Sequence, residues 1–224
     1  MLNLREDADY TLIDDIDFTQ ISFKLVANEN IIDYADGSII YEEGQEIDTY
    51  GLDENGNLTI ENLPMGAYYV QEVSTIKGAV LDDTKYDVIF EKTDNTTKVY
   101  TVDLQIENET TFVELSKTDV TGDEELEGAT LQVIDEEGNI VDEWVSTTES
   151  HKIEGLEVDK TYTMHEEVAI DGYVKATDIT FTVENTGEVQ KVEMIDKIVE
   201  MSKVDIAGNE LEGATIQVLD KETI

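Results

Sequence analysis

No cysteine occurs among the 224 residues, so no disulfide can hold this chain together. Positive charge is scarce as well: 14 lysines and arginines stand against 54 aspartates and glutamates, a formal net charge of -40. Binding to nucleic acid or to an anionic membrane surface depends on lysine and arginine releasing counterions from phosphates, so neither is expected as a partner. Such charge keeps a protein soluble while its self-repulsion works against compactness, and something other than surface ion pairs must hold the fold. Long apolar runs are missing too. Nothing approaches the roughly 18 to 20 residues of a membrane span, and MLNLREDADY lacks the basic and apolar regions of a signal peptide. Membrane insertion is not expected here, and the targeting and anchoring segments of an exported parent are expected to lie elsewhere.

The chemistry of turnover is equally thin. His151 and His165 are the only histidines, neither has the spacing of a zinc site, and both are expected at the surface. DENGN (53–57) and DEEGN (135–139) lack the spacing and closing glutamate of a calcium loop and read as turns. There is no Gly-rich phosphate loop and no Ser/His/Asp arrangement. No metal, no cofactor and no turnover enzyme is expected. Trp144, the sole tryptophan, is read as core or half-buried packing.

What is present is alternation. TYTMHEEV (161–168), ITFTVE (179–184), KVYTVDLQIE (98–107) and ATLQVID (129–135) alternate apolar and polar side chains, as half-buried strands do. Turn signals fall between them, with ENTGE at 184–188 beside the two already named, and nothing reads as a long amphipathic helix. The fold class is all-β: tandem immunoglobulin-like antiparallel sandwiches.

A repeat divides the chain. VELSKTDVTGDEELEGATLQV begins at Val113, and VEMSKVDIAGNELEGATIQV begins at Val199, placing Lys117 and Lys203 86 residues apart. Residues 113–200 read as one complete sandwich. Residues 1–112 read as a longer, diverged copy, in which IENLPMGAYYVQE (60–72) corresponds to IEGLEVDKTYTMHE (153–166). Residues 201–224 read as the truncated start of a third copy, unable to bury a core alone, in which Lys203 remains an unreacted amine.

Strand parity gives the middle unit an unusual interior. Val113, Leu115 and Lys117 share a face, as do Tyr162, Met164 and Glu166, and as do Val192, Met194 and Asp196. One basic and two acidic side chains thus point inward. Desolvation lowers a lysine pKa and raises that of a carboxyl group, so a neutral amine and a neutral acid can coexist. A neutral amine is a nucleophile. The predicted product is an isopeptide amide between Lys117 and Asp196, formed once with loss of water, with Glu166 as the proton shuttle.

SKTD, the glutamate of YTMHEEVAIDGY and the aspartate of VEMIDK resemble the Lys, Glu and Asp/Asn triad of Cna B-type domains, also called SpaA-like or prealbumin-like. The resemblance is strong over 113–200, clear over 201–220 and weaker over 16–112. It departs where family members commonly carry Pro-x-Gly-Tyr after the glutamate: Ile170 replaces the proline before Asp171, Gly172 and Tyr173. The resemblance implies a stalk segment of a Gram-positive surface protein, an adhesin or pilin, secreted and attached to the cell wall, with neighbouring repeats of the same chain as partners.

In the first unit, aligning LIDDIDFT (12–19) with ELSKTDVT (114–121) puts Asp15 where Lys117 stands, while Glu72 and Asn108 take the other two places. Its amine is missing. No cross-link is expected there, and Lys24, between Phe23 and Leu25, should face outward. The alternative function is a binding module for a host matrix protein or glycan, best placed in the first unit. NENIIDYADGSIIYEEGQEIDTYG (28–51) exceeds what a sandwich needs, and its blander reading is one extra hairpin with a DG turn.

Overall fold

A computed structural model of the chain describes residues 2–13, 15–90, 102, 104–122, 124–199, 201–213 and 215. Half of the strand expected over 98–107 and most of ATIQV (214–218) lie outside the described residues, and the described residues 102 and 104–107 belong to no strand.

Each unit has its own apolar core. In the first, β1 (Ser22–Ala27), β2 (Glu46–Gly51), β3 (Gly66–Ser74) and β4 (Tyr86–Phe90) form an antiparallel sheet of order β2-β1-β3-β4. The second unit continues with β5 (Phe112–Thr118), β6 (Thr130–Ile134), β7 (Ile140–Val145), β8 (His151–Glu154), β9 (Thr161–Val168), β10 (Ile179–Thr182) and β11 (Val189–Ile195). Its two sheets are β7-β6-β9-β10 and β11-β5-β8. Alternation decides which side chains enter the space between them. Tyr162 and Met164 on β9 are buried while Thr161, Thr163 and His165 are only half-buried, and Tyr162 stacks beside Phe181 at 6.0 Å between ring centroids.

Turn chemistry sets the hairpins. Asp135 Oδ1 accepts N–H bonds from Glu137 (3.0 Å) and Asn139 (2.8 Å), and Gly138 supplies φ +86°. Asp53 does the same for Asn55 and Asn57 in the first unit. The long segment 28–51 contains the extra hairpin, Ile31–Ile32 against Ile39–Tyr41, followed by β2.

The pairing is not antiparallel throughout. β5 and β11, the first and last strands of the second unit, run parallel from Phe112 opposite Val189 to Thr118 opposite Ile195. Both enter the sandwich from the same end, which a purely alternating reading of strand order does not anticipate.

The first residues of the chain cross to the second unit. Tyr10–Thr11 pairs in parallel with Ile153–Glu154 and becomes the fourth strand of the β11-β5-β8 sheet. Arg5 donates its backbone N–H to Glu154 Oε1 (2.8 Å) and its Nη2 to the Gly187 carbonyl (2.7 Å), with its guanidinium 4.5 Å from the Phe112 ring centroid. Glu154 is buried and accepts a second bond from Thr110 Oγ1 (2.6 Å). Leu12 packs on the second core and Ile13 belongs to the first. Asn185 closes the joint from the other side by bonding both the N–H and the carbonyl of Leu81.

Candidate cross-linking site

Lys117, Glu166 and Asp196 meet inside the second unit, at 1%, 0% and 0% exposure. No bulk water reaches any of them. Val113, Leu115 and Lys117 alternate inward along β5, and Glu166 follows Tyr162 and Met164 on the facing strand β9. The parallel ladder supplies the third group. Lys117 lies opposite Met194, so Asp196, two residues on, returns to the same face. Its backbone N–H donates to the Thr118 carbonyl at 2.8 Å and extends that register one step past the strand.

Lys117 Nζ donates to Asp196 Oδ1 and lies 3.0 Å from Glu166 Oε1. Glu166 Oε1 is at ion-pair distance but off the alignment of a hydrogen bond, and Asp196 Oδ2 has no hydrogen-bond partner among the described residues. Burial pushes the Asp196 carboxyl above the usual carboxylate range, an effect that Lys117 partly offsets. An amine therefore touches a carboxyl group that favours its neutral form, and a second carboxylate stands beside both.

A small clasp covers the group. Tyr173–Val174 pairs with Lys197–Ile198, directly after Asp196, and Val199 N–H donates to the Gly172 carbonyl at 2.9 Å. The clasp strand leads into Ala176, whose N–H donates to Glu166 Oε2 at 2.6 Å. This donor fixes one glutamate oxygen and leaves the other turned to the amine. One amine and two carboxyl groups are thus held together away from solvent, in the proximity that an intramolecular reaction requires.

Among the described residues, the first unit repeats this geometry without an amine. Glu72 lies opposite Phe23 as Glu166 lies opposite Leu131. Asn108 Nδ2 donates to both Glu72 oxygens, at 3.0 and 2.8 Å, and to the Val80 carbonyl at 3.3 Å. Both residues are buried, and burial pushes the Glu72 carboxyl up, against the lowering effect of its bonds from Asp82 N–H and Asn108. Asp15 is not with them. It is exposed, because residues 9–12 are committed to the second unit's sheet and the chain then continues outside any strand, so the parity of 12–19 does not apply. Lys24 faces the other side of the sheet, opposite Gln71. Lys203 is exposed, its carbonyl accepting from Leu211 N–H at 2.8 Å.

Trp144 is half-buried and stacks on His151 with 4.2 Å between centroids. His151, expected at the surface, is instead half-buried by that stack and by a 2.7 Å contact of Nε2 with Asp142. His165 contacts Asp178 at 2.7 Å. Among the described residues, no group of three or more His, Cys, Asp or Glu side chains is placed to hold a metal ion.

The model of the SpaA prealbumin-like fold domain matches the chain twice, over residues 9–105 and 111–198. Among solved structures, the chain is similar to the Bacillus anthracis TIE protein, at 23% identity and a TM-score of 0.45, over 89% of this chain. It spans 35% of that protein's length. It is also similar to a C-terminal fragment of the pilus adhesin SpaC from Lactobacillus rhamnosus GG, at 19% identity and a TM-score of 0.45, over 85% of this chain and 95% of that one. The shaft pilin SpaA of the same organism aligns at 15% identity and a TM-score of 0.35, over 87% of this chain and 95% of that one. No curated protein matches the chain.

Proposed function

The chain belongs to the family of SpaA prealbumin-like fold domains, and from that premise we propose that it is a stalk segment of a Gram-positive surface protein, an adhesin or pilin component, secreted and attached to the cell wall. Its second unit welds itself by an isopeptide bond between Lys117 and Asp196. The observation that carries this reading is the solvent-free contact of Lys117 Nζ with Asp196, with Glu166 Oε1 3.0 Å away.

The neutral Lys117 amine attacks Asp196 Cγ. One C–N bond forms, one C–O bond breaks, and the amine's proton reaches the departing oxygen through the Glu166 carboxyl group, so that one water leaves. The reaction happens once per molecule and is not turnover. It joins the first strand of the unit to its last, and a rod of such units resists stretching and proteolysis where cysteine is absent. Neighbouring repeats are its partners. Intact mass tests the reading: one water less than the sequence, with the full mass restored by Lys117→Ala and by Glu166→Ala. An unmodified wild-type mass refutes it.

One observation favours a second reading, a binding module in the first unit. Ile32, Tyr34, Ile39 and Ile40 on and around its extra hairpin are exposed, Tyr34 to 78%. Binding of the chain to host matrix proteins or glycans, lost on Tyr34→Ser, is the test of that reading.

A further inference from the structure

We propose that Glu125 is a positioning residue for this cross-link, its carboxylate standing in for a strand that is missing beside Lys117; the inference rests on the cross-linking reading. β8 pairs with β5 only as far as Leu115, opposite His151. Beyond that point the side of β5 away from β11 has no neighbouring strand among the described residues, yet Lys117 turns both its backbone groups that way. Glu125 Oε2 accepts the Lys117 N–H at 2.8 Å, and Leu126 N–H donates to the Lys117 carbonyl at 2.7 Å. A tight turn brings these residues back: Asp119 Oδ1 accepts from Thr121 N–H, the Asp119 carbonyl accepts from Gly122 N–H, and Thr118 bridges to Glu125.

A side-chain carboxylate therefore does what a backbone carbonyl does elsewhere in the sheet. Pinning the peptide on both sides of the Lys117 Cα fixes the direction in which the long side chain leaves the strand, and so aims Nζ at Asp196. Glu125 touches the Lys117 backbone, so it is not a catalytic residue. The device recurs in part at the third copy, where Leu211 N–H donates to the Lys203 carbonyl, Val204 bridges to Glu210, and Glu210 occupies the place of Glu125. There the hairpin closes on exposed residues with no core around it, so its own short sequence suffices to form it.

The test follows the loss of water with time after a short pulse of cell-free synthesis, by intact mass, in the wild-type chain, Glu125→Gln and Glu125→Leu. Tenfold or slower linkage in Glu125→Leu, with a rate near wild type in Glu125→Gln, is the expected result, since the glutamine carbonyl accepts the same N–H. Thermal melting of Glu125→Leu in a Lys117→Arg background, where no link forms, separates this effect from simple destabilisation: a shift of a few degrees is expected. Linkage of Glu125→Leu at the wild-type rate overturns the proposal. A glutamine variant as slow as the leucine variant also overturns it, by making the charge the active feature. Amide hydrogen exchange at Lys117 in the wild-type chain decides without a variant: protection supports the carboxylate contact, and exchange as fast as in exposed turns contradicts it. A wild-type chain that loses no water removes the cross-linking reading itself, an outcome distinct from all of these.

Discussion

Glu72 and Glu166 hold the same station in their two units: each accepts a backbone N–H from the residue ten positions further on, Asp82 at 2.8 Å and Ala176 at 2.6 Å. Each also faces an acceptor-type side chain, Asn108 in one unit and Asp196 in the other. The difference is the amine. In the second unit Lys117 meets both acids, and in the first Glu72 accepts both its side-chain bonds from the Asn108 amide. Lys117→Arg keeps a long basic side chain beside the two acidic residues while blocking the amide bond. It is expected to lower the second unit's unfolding free energy by roughly 4 to 5 kcal/mol, the chain-entropy value for a closed loop of about 80 residues. Chemical denaturation read at Trp144 measures it.

Asn108 also shows that the acceptor position of this fold accommodates a carboxamide. Asp196→Asn is therefore expected to cross-link still, releasing ammonia in place of water. The linked product is the same molecule in both cases. Intact mass before and after reaction distinguishes the two leaving groups, and a variant that stays unlinked contradicts the shared station of the two residues.

The buried Glu72 carboxyl, pushed above its ordinary value by desolvation, gives the first unit a pH dependence of definite sign. The unfolded chain releases this proton near the ordinary glutamate value, about 4.3, while the folded unit holds it to higher pH. Stability is thus greatest below that value, falls as pH rises through the window between the two, and is level above it. Glu72→Gln is expected to flatten this part of the curve. Melting of the first unit from about pH 4 to about pH 8 is the measurement.

The joint between the units makes a fourth prediction. A Cβ on Gly78, which has φ +78°, would lie 2.4 Å from the Gly155 carbonyl oxygen, so Gly78→Ala must push the two units apart. Glu154→Ala removes the acceptor shared by Arg5 N–H and Thr110 Oγ1, at a cost of about 1 to 3 kcal/mol. Both are expected to speed proteolysis of residues 4–12 while the mass loss in the second unit persists. Unchanged cleavage of that segment would show that it holds by other contacts.

Strand parity was legible in two segments that matter most: TYTMHEEV became β9 residue for residue, and the inward face of VELSK carried Lys117 to the cluster, whereas the described residues 102 and 104–107 of KVYTVDLQIE lie in no strand. The DG turn of the inserted hairpin was legible for the same local reason. Asp15 was not, since parity has meaning only inside a strand and residues 9–12 are captured by a different unit. Glu125 and Glu154 escaped notice because each looks like one more surface acid in a chain with 54 of them. Each accepts from a backbone N–H group, which every residue but proline carries, and Glu154 from the Thr110 hydroxyl as well, so nothing in the letters marks the contact. The one available signal was that Glu125 recurs as Glu210, before the leucine of each LEGAT block.

Tyr10–Thr11 and β5 lie in one sheet with only β8 between them. Tension applied at Tyr10–Thr11 therefore enters the second unit sideways, through sheet hydrogen bonds to β8, one strand away from the β5 that carries Lys117.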